Sequence, residues 1–247
     1  MPFLYHPNSD ADRNNVLTNM HGLIFTPEGE PNEDARKIFL TGTMDHLKLF
    51  APRFNTAYKN RNLAISERSK ATLQKDTKKE IVKKLISHYF QNLNNGIDRG
   101  LFKPSDRNLY GLDAGGNDVP VIISVNSILH WGTLIIDGEA ARVAQGGVSM
   151  AQPSADEVKI ALDDFKAVRK QQSDKKIGLS TEQEEIQKLR DEADELITDL
   201  WDEVEFYFRK SEPAAHRLQC SQWGVIYKNR YGDNNNGNEN PPPTNPG

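Results

Sequence analysis

Between residues 182 and 205 the chain carries eleven Asp or Glu against two Lys or Arg, a net charge of −9. Inside this acidic run Ile186, Leu189, Ala193, Leu196 and Leu200 recur in steps of 3, 4, 3 and 4. That spacing gathers the five side chains on one side of an α-helix and sends the carboxylates to the others. Ile197, Trp201, Val204, Tyr207 and Phe208 widen the stripe toward its end. A helix of this kind has a narrow coiled-coil-like seam to bury, and other helices are its natural cover. The predicted helix covers about 181–210 and spans roughly 45 Å at 1.5 Å per residue.

The opposite charge lies upstream. Residues 36–84 hold 13 Lys or Arg against 4 Asp or Glu, a net of +9, although the whole chain nets only −4. Pro52 and the segment 59–63 divide this stretch, giving predicted helices over about 33–58 and 64–94. On the second, Ile81, Val82, Leu85, Ile86, Tyr89 and Leu93 form the apolar face. Lys75, Lys78, Lys79, Lys83 and Lys84 form a compact basic face. An exposed ion pair contributes only about 0–1 kcal/mol. Two opposed fields nevertheless select which helix lies beside which, within one chain or between copies.

The remaining signals are helix starts and stops. Ser9 caps a helix over about 10–25, with Val16, Leu17, Met20 and Ile24 as its stripe. Ser124 opens a helix over about 124–144 that is apolar on most of its circumference. Ser154 with Glu157 is a capping box for a helix over about 155–177, with Gly178 interrupting before a second box at Ser180 and Gln183. Pro213 suits the first turn of a short helix over about 213–223. Residues 95–123 read as irregular, with one helical turn from Pro104 to Leu109. Val119–Ile123 and Val225–Lys228 read as short strands that pair with each other. A polar tail rich in Pro and Asn, 233–247, follows.

The expected fold is therefore mainly α. It is an elongated antiparallel bundle of long amphipathic helices with a small two-stranded β element, in a single domain over 1–232. The apolar fraction of 36% suits long helices with much surface better than a thick α/β core. No window approaches the roughly 20 apolar residues of a membrane helix, so no membrane partner is expected. The N-terminal sequence lacks a basic segment followed by an apolar run, and Cys220 stands alone, which fits a cytoplasmic protein. Signal-independent export, or residence in a particle, is the alternative.

Signatures of chemistry are sparse. There is no Gly-rich phosphate loop, no His-Glu-x-x-His and no Glu-x-x-His, so no cofactor and no metal is expected. Asp191, Asp194, Glu195, Asp199 and Asp202 cluster without calcium-loop spacing and read as a solvated face. His216 and Cys220 share a helical face, but a nucleophile also needs an orienting group and an oxyanion site. Asp98, Arg99, Asp106, Arg107, Asp137, Glu139 and Arg142 flank loops and helix ends. They read as ion pairs pinning the irregular segment, or alternatively as a pocket with carboxylate acid/base groups.

No catalytic residue is assigned. The function expected is that of a non-enzymatic structural or assembly protein whose partner is itself, through charge-complementary amphipathic helices. One alternative is an adaptor for another protein, using the Lys-rich face or the Pro241, Pro242 and Pro243 run of the tail. Another is an enzyme built on the Asp/Glu/Arg set of 98–142. Nucleic acid is not an expected partner, because the basic stretch carries no recognised binding motif and its aromatics sit at core spacing.

Overall fold

The computed structural model describes residues 3–228 and is mainly α. Among these residues the order is β1 (Phe3–Leu4), α1 (Asp10–Ile24), α2 (Ala35–Ile38), α3 (Thr41–Asp98), a 3-10 helix (Pro104–Tyr110), α4 (Val125–Ala144), α5 (Ala155–Lys188), α6 (Arg190–Phe208), α7 (Pro213–Gln222) and β2 (Tyr227–Lys228). The chain divides into two compact units where the sequence predicts one domain over 1–232. Among the described residues the first combines 3–61 with 182–228; the second is Asn62–Thr181. The tail 233–247, with Pro241, Pro242 and Pro243, lies outside the described residues.

In the first unit the 3-4 seam, which runs from the end of α5 through Leu189 into α6, is the centre of the core. Ile186, Leu189, Ala193, Leu196, Leu200 and Trp201 are all buried, against Leu17 and Met20 of α1 and Leu47, Phe50 and Phe54 of α3. Fully burying an aliphatic or Phe side chain contributes about 1.5–3 kcal/mol, so this seam holds the unit together. α1 starts as its sequence dictates: the Ser9 hydroxyl accepts the Asp12 amide at 3.1 Å. β1 and β2 pair antiparallel, Phe3 with Lys228 and Leu4 with Tyr227.

The second unit has its own core, formed by Val82, Ile86, Tyr89 and Phe90 of α3, Ile128 and Ile135 of α4, and Val158, Leu162 and Phe165 of α5. Ser124 and Ser127 close a reciprocal box at the start of α4, and Ser154 and Glu157 another at the start of α5. Within this unit Glu67 meets Lys175 at 2.8 Å and Lys78 meets Asp164 at 2.6 Å. Position rises along α3 as it falls along α5, so the two segments run antiparallel.

Three expectations are corrected. The helices predicted over 33–58 and 64–94 are instead the short α2 and the 58-residue α3, which continues through Pro52 and 59–63. Pro52 is exposed, so only the Lys48 carbonyl loses its partner, on a side that water reaches. The true break is at Phe39, buried in extended conformation. Beyond it Glu203 of α6 accepts the Leu40 amide at 2.9 Å and the Thr43 hydroxyl at 2.6 Å, so the start of α3 is capped from another helix.

The helices predicted over 155–177 and 181–210 are divided at Leu189, not at Gly178. α5 passes through Gly178, which is exposed, and a mid-helix Gly costs only about 1 kcal/mol. At Leu189 the turn tightens, its amide bonding the Ile186 carbonyl at 3.1 Å. The third correction concerns residues 119–123, which form no strand. Pro120 has no amide to donate, and Val121 and Ile123 face outward, leaving only Ile122 buried. The N-terminal Phe3–Leu4 is the partner of β2 in their place.

Candidate functional site

The densest polar cluster lies inside the second unit. Gly138 lets α4 approach the 3-10 helix, and this contact brings Glu139 and Arg142 of α4 against Tyr110, with Tyr89 of α3 beside them. Glu139 Oε2 accepts from the Tyr110 hydroxyl at 2.6 Å, the Tyr89 hydroxyl at 2.8 Å and Arg142 Nε at 2.9 Å. Its Oε1 accepts from an Arg142 terminal nitrogen at 2.9 Å and the Met150 amide at 2.7 Å. That terminal nitrogen also donates to the Val148 carbonyl at 2.7 Å. Phe102 covers the guanidinium, its ring centre 4.4 Å from Arg142 Cζ.

The electrostatics follow from this geometry. Burial alone pushes the Glu139 carboxyl up, but the bonds from Tyr110, the Met150 amide, Tyr89 and Arg142 outweigh it and hold the pKa below the ordinary carboxylate value. Burial pushes the Tyr110 phenol up to about 12, with its bond to Glu139 adding to the rise. Tyr89 moves further in the same direction, chiefly by burial. An anion already accepting five hydrogen bonds, beside two phenols that stay protonated, has no lone pair turned to a substrate. The cluster is built to be permanent, and it fastens the 148–150 loop and the 3-10 helix to α4.

The other candidates from 98–142 go elsewhere. Arg107 is buried and donates to the Asp113 carbonyl at 2.7 Å and the Asp118 carbonyl at 3.2 Å, and also to the Asn94 side chain. Asn94 in turn donates to the Asn117 carbonyl at 2.6 Å. Arg107 thus pins the 113–118 loop through its backbone, and not by pairing with a carboxylate. Asp106 accepts the Lys103 amide at 3.1 Å as a helix cap. Asp98, Arg99 and Asp137 are exposed. The sequence points to Glu139 and Arg142, but it offers Tyr89 only as an apolar-face aromatic and leaves Tyr110 in the irregular segment 95–123.

His216 and Cys220 do meet, Sγ lying 3.6 Å from Nε2. Burial pushes the thiol pKa up, so it stays a protonated core thiol. Among the described residues no group of three or more His, Cys, Asp or Glu is placed to hold a metal ion, and no helix is long and apolar enough to cross a membrane.

The charged faces are partly used within the chain. Asp194 takes Arg13 in two bonds of 2.7 and 2.8 Å, and Asp10 takes Arg190 in two of 2.8 and 2.9 Å. Lys78 pairs with Asp164, and Lys75 with the adjacent Asp76. Asp191, Glu195, Asp199 and Asp202 stay exposed, and neither they nor Lys79, Lys83 and Lys84 form an ion pair among the described residues. Where α6 ends, Leu40, Phe206 and Tyr207 are 68%, 63% and 46% exposed. With Ile38 they line a groove of about 670 Å3, rimmed by Lys37, Arg209 and Lys210 on one side of the charge balance and Asp202 and Glu203 on the other.

Comparison of the chain with known protein families, with curated proteins and with solved structures finds no match.

Proposed function

We propose that this chain is a non-enzymatic structural protein that associates with copies of itself. The observation that carries the reading is the groove at the end of α6. Leu40, Phe206 and Tyr207 stand together in solvent at one groove, inside a rim of both charge signs. An apolar centre with a polar rim is the anatomy of a protein interface. The interior polar groups support the same reading, because Glu139, Arg142 and Arg107 spend their bonding capacity on the fold.

Light scattering at low and high salt tests this. The expected mass at low salt is a multiple of a single chain, reduced but not abolished by salt, since the apolar centre is not screened. A chain that stays monomeric at high concentration and low salt refutes it.

A further inference from the structure

The outer side of α6 carries a second stripe, opposite the buried seam. Glu195, Asp199, Asp202, Phe206 and Arg209 recur in steps of 4, 3, 4 and 3, and all five are exposed. The stripe is ordered by charge: acidic, then aromatic, then basic. Asp202 stands four residues before Phe206 and Lys210 four residues after it. Neither forms an ion pair among the described residues.

We infer that this end of α6 is a two-fold contact between two copies of the chain, with the α6 helices antiparallel and the axis passing at Phe206. The charge order selects this arrangement. Antiparallel pairing about Phe206 sets Asp202 of one copy beside Lys210 of the second, and Lys210 beside the second copy's Asp202. Asp202 lies about 6 Å along the helix from the axis, four residues at 1.5 Å, and Lys210 stands in the turn just past Phe208, where α6 ends. Parallel pairing in register would instead set Asp202 against Asp202 and Lys210 against Lys210. Glu203 is already committed to the start of α3, and Arg209 lies over the Phe206 ring with its Cζ 3.8 Å from the centre. The free pair is thus Asp202 and Lys210, and the apolar anchor is Phe206 with Leu40 and Tyr207 beside it. A patch that carries its own complement is what a closed, isologous dimer requires.

This rests on the proposed self-association and names its surface. The test is the dissociation constant of the full chain by sedimentation equilibrium, with circular dichroism confirming that each variant folds. Phe206→Glu is expected to weaken the dimer by more than about tenfold, as loss of a central aromatic anchor does. Asp202→Lys and Lys210→Asp each weaken it, because each sets like charges face to face. The double variant Asp202→Lys/Lys210→Asp returns it to within about threefold of the parent, because the pair is rebuilt with its signs exchanged.

A parent chain that self-associates with all variants unchanged removes this surface and leaves self-association standing. A double variant as weak as the singles removes the antiparallel register. A monomeric parent removes both readings. A fluorotyrosine resonance of Tyr207 that moves when Pro241, Pro242 and Pro243 are changed to Ala in a monomer overturns the dimer and gives the groove to the chain's own tail.

Discussion

Glu139 and Arg142, three residues apart on α4, meet in two parallel contacts of 2.9 Å with only 7% and 3% of their side chains exposed. The i, i+3 spacing lets one helix supply both charges, and the irregular segments supply the rest of the cage. The pair joins α3, α4, the 3-10 helix and the 148–150 loop through bonds that an apolar substitute does not make.

Breaking that pair from one side leaves a buried charge alone. Glu139→Ala is expected to cost about 3–5 kcal/mol, the usual penalty for an uncompensated buried partner. Glu139→Ala combined with Arg142→Met costs less than the single change, because no charge is left stranded. Urea denaturation of the three chains measures both numbers, and a double variant weaker than the single contradicts the account.

The acid limb of stability follows from the same carboxylate. Its folded pKa lies below the ordinary 4.5, so its contribution is full above about pH 4.5 and is lost as pH falls through the folded value. Asp10 behaves alike in the first unit, its carboxyl held down first by the hydrogen bond from Arg190 against the opposing effect of burial. Urea midpoints measured from neutral pH downward should fall steeply in the parent and less steeply in Glu139→Gln. Equal slopes mean that the network contributes nothing to acid lability.

The phenols set the alkaline limb, with the opposite sign. Tyr110 is pushed up to about 12, and Tyr89 and Tyr227 are pushed up further, burial being the first cause in each. A raised pKa stabilises the fold below the unfolded value near 10, and that contribution is lost as pH rises through the folded one. Titration at 295 nm should therefore show fewer than the chain's seven tyrosines ionising near pH 10. The remainder appears with unfolding, and Tyr110→Phe makes that remainder smaller. All seven titrating together at pH 10 contradicts the buried network.

Much of this was legible in the sequence, for reasons that differ from element to element. The α6 seam and the caps at Ser9, Ser124 and Ser154 could be read directly, since apolar spacing and side-chain oxygens act within a few residues. The ends of α3 and α5 could not. The start of α3 is decided by Glu203, some 160 residues away in sequence. The passage of α5 through Gly178 reflects a balance of about 1 kcal/mol that local signals do not settle. The polar cluster was half visible. Glu139 and Arg142 stand out, with Asp137, as charges on a largely apolar helix, whereas the Tyr89 hydroxyl is hidden behind a ring that satisfies the apolar pattern and Tyr110 lies in a segment with no pattern to read.

Two glycines give a paired prediction of opposite sign. Both sit inside helices, where replacing Gly by Ala contributes about 0.5–1 kcal/mol when nothing obstructs the methyl. At Gly178 a Cβ meets nothing within 4 Å, so Gly178→Ala should raise the melting temperature. At Gly138 the same atom lands 2.5 Å from Tyr110 Cδ1 and 2.8 Å from the Leu109 carbonyl oxygen. The second of these is backbone and cannot swing aside. α4 must then move off the 3-10 helix, stretching the Tyr110–Glu139 bond that the close approach makes. Gly138→Ala is thus expected to lose about 1–3 kcal/mol despite the gain in helix propensity. Thermal denaturation of the two variants compares them directly. If Gly138→Ala stabilises as Gly178→Ala does, the contact between α4 and the 3-10 helix is looser than described, and the buried network has room to rearrange.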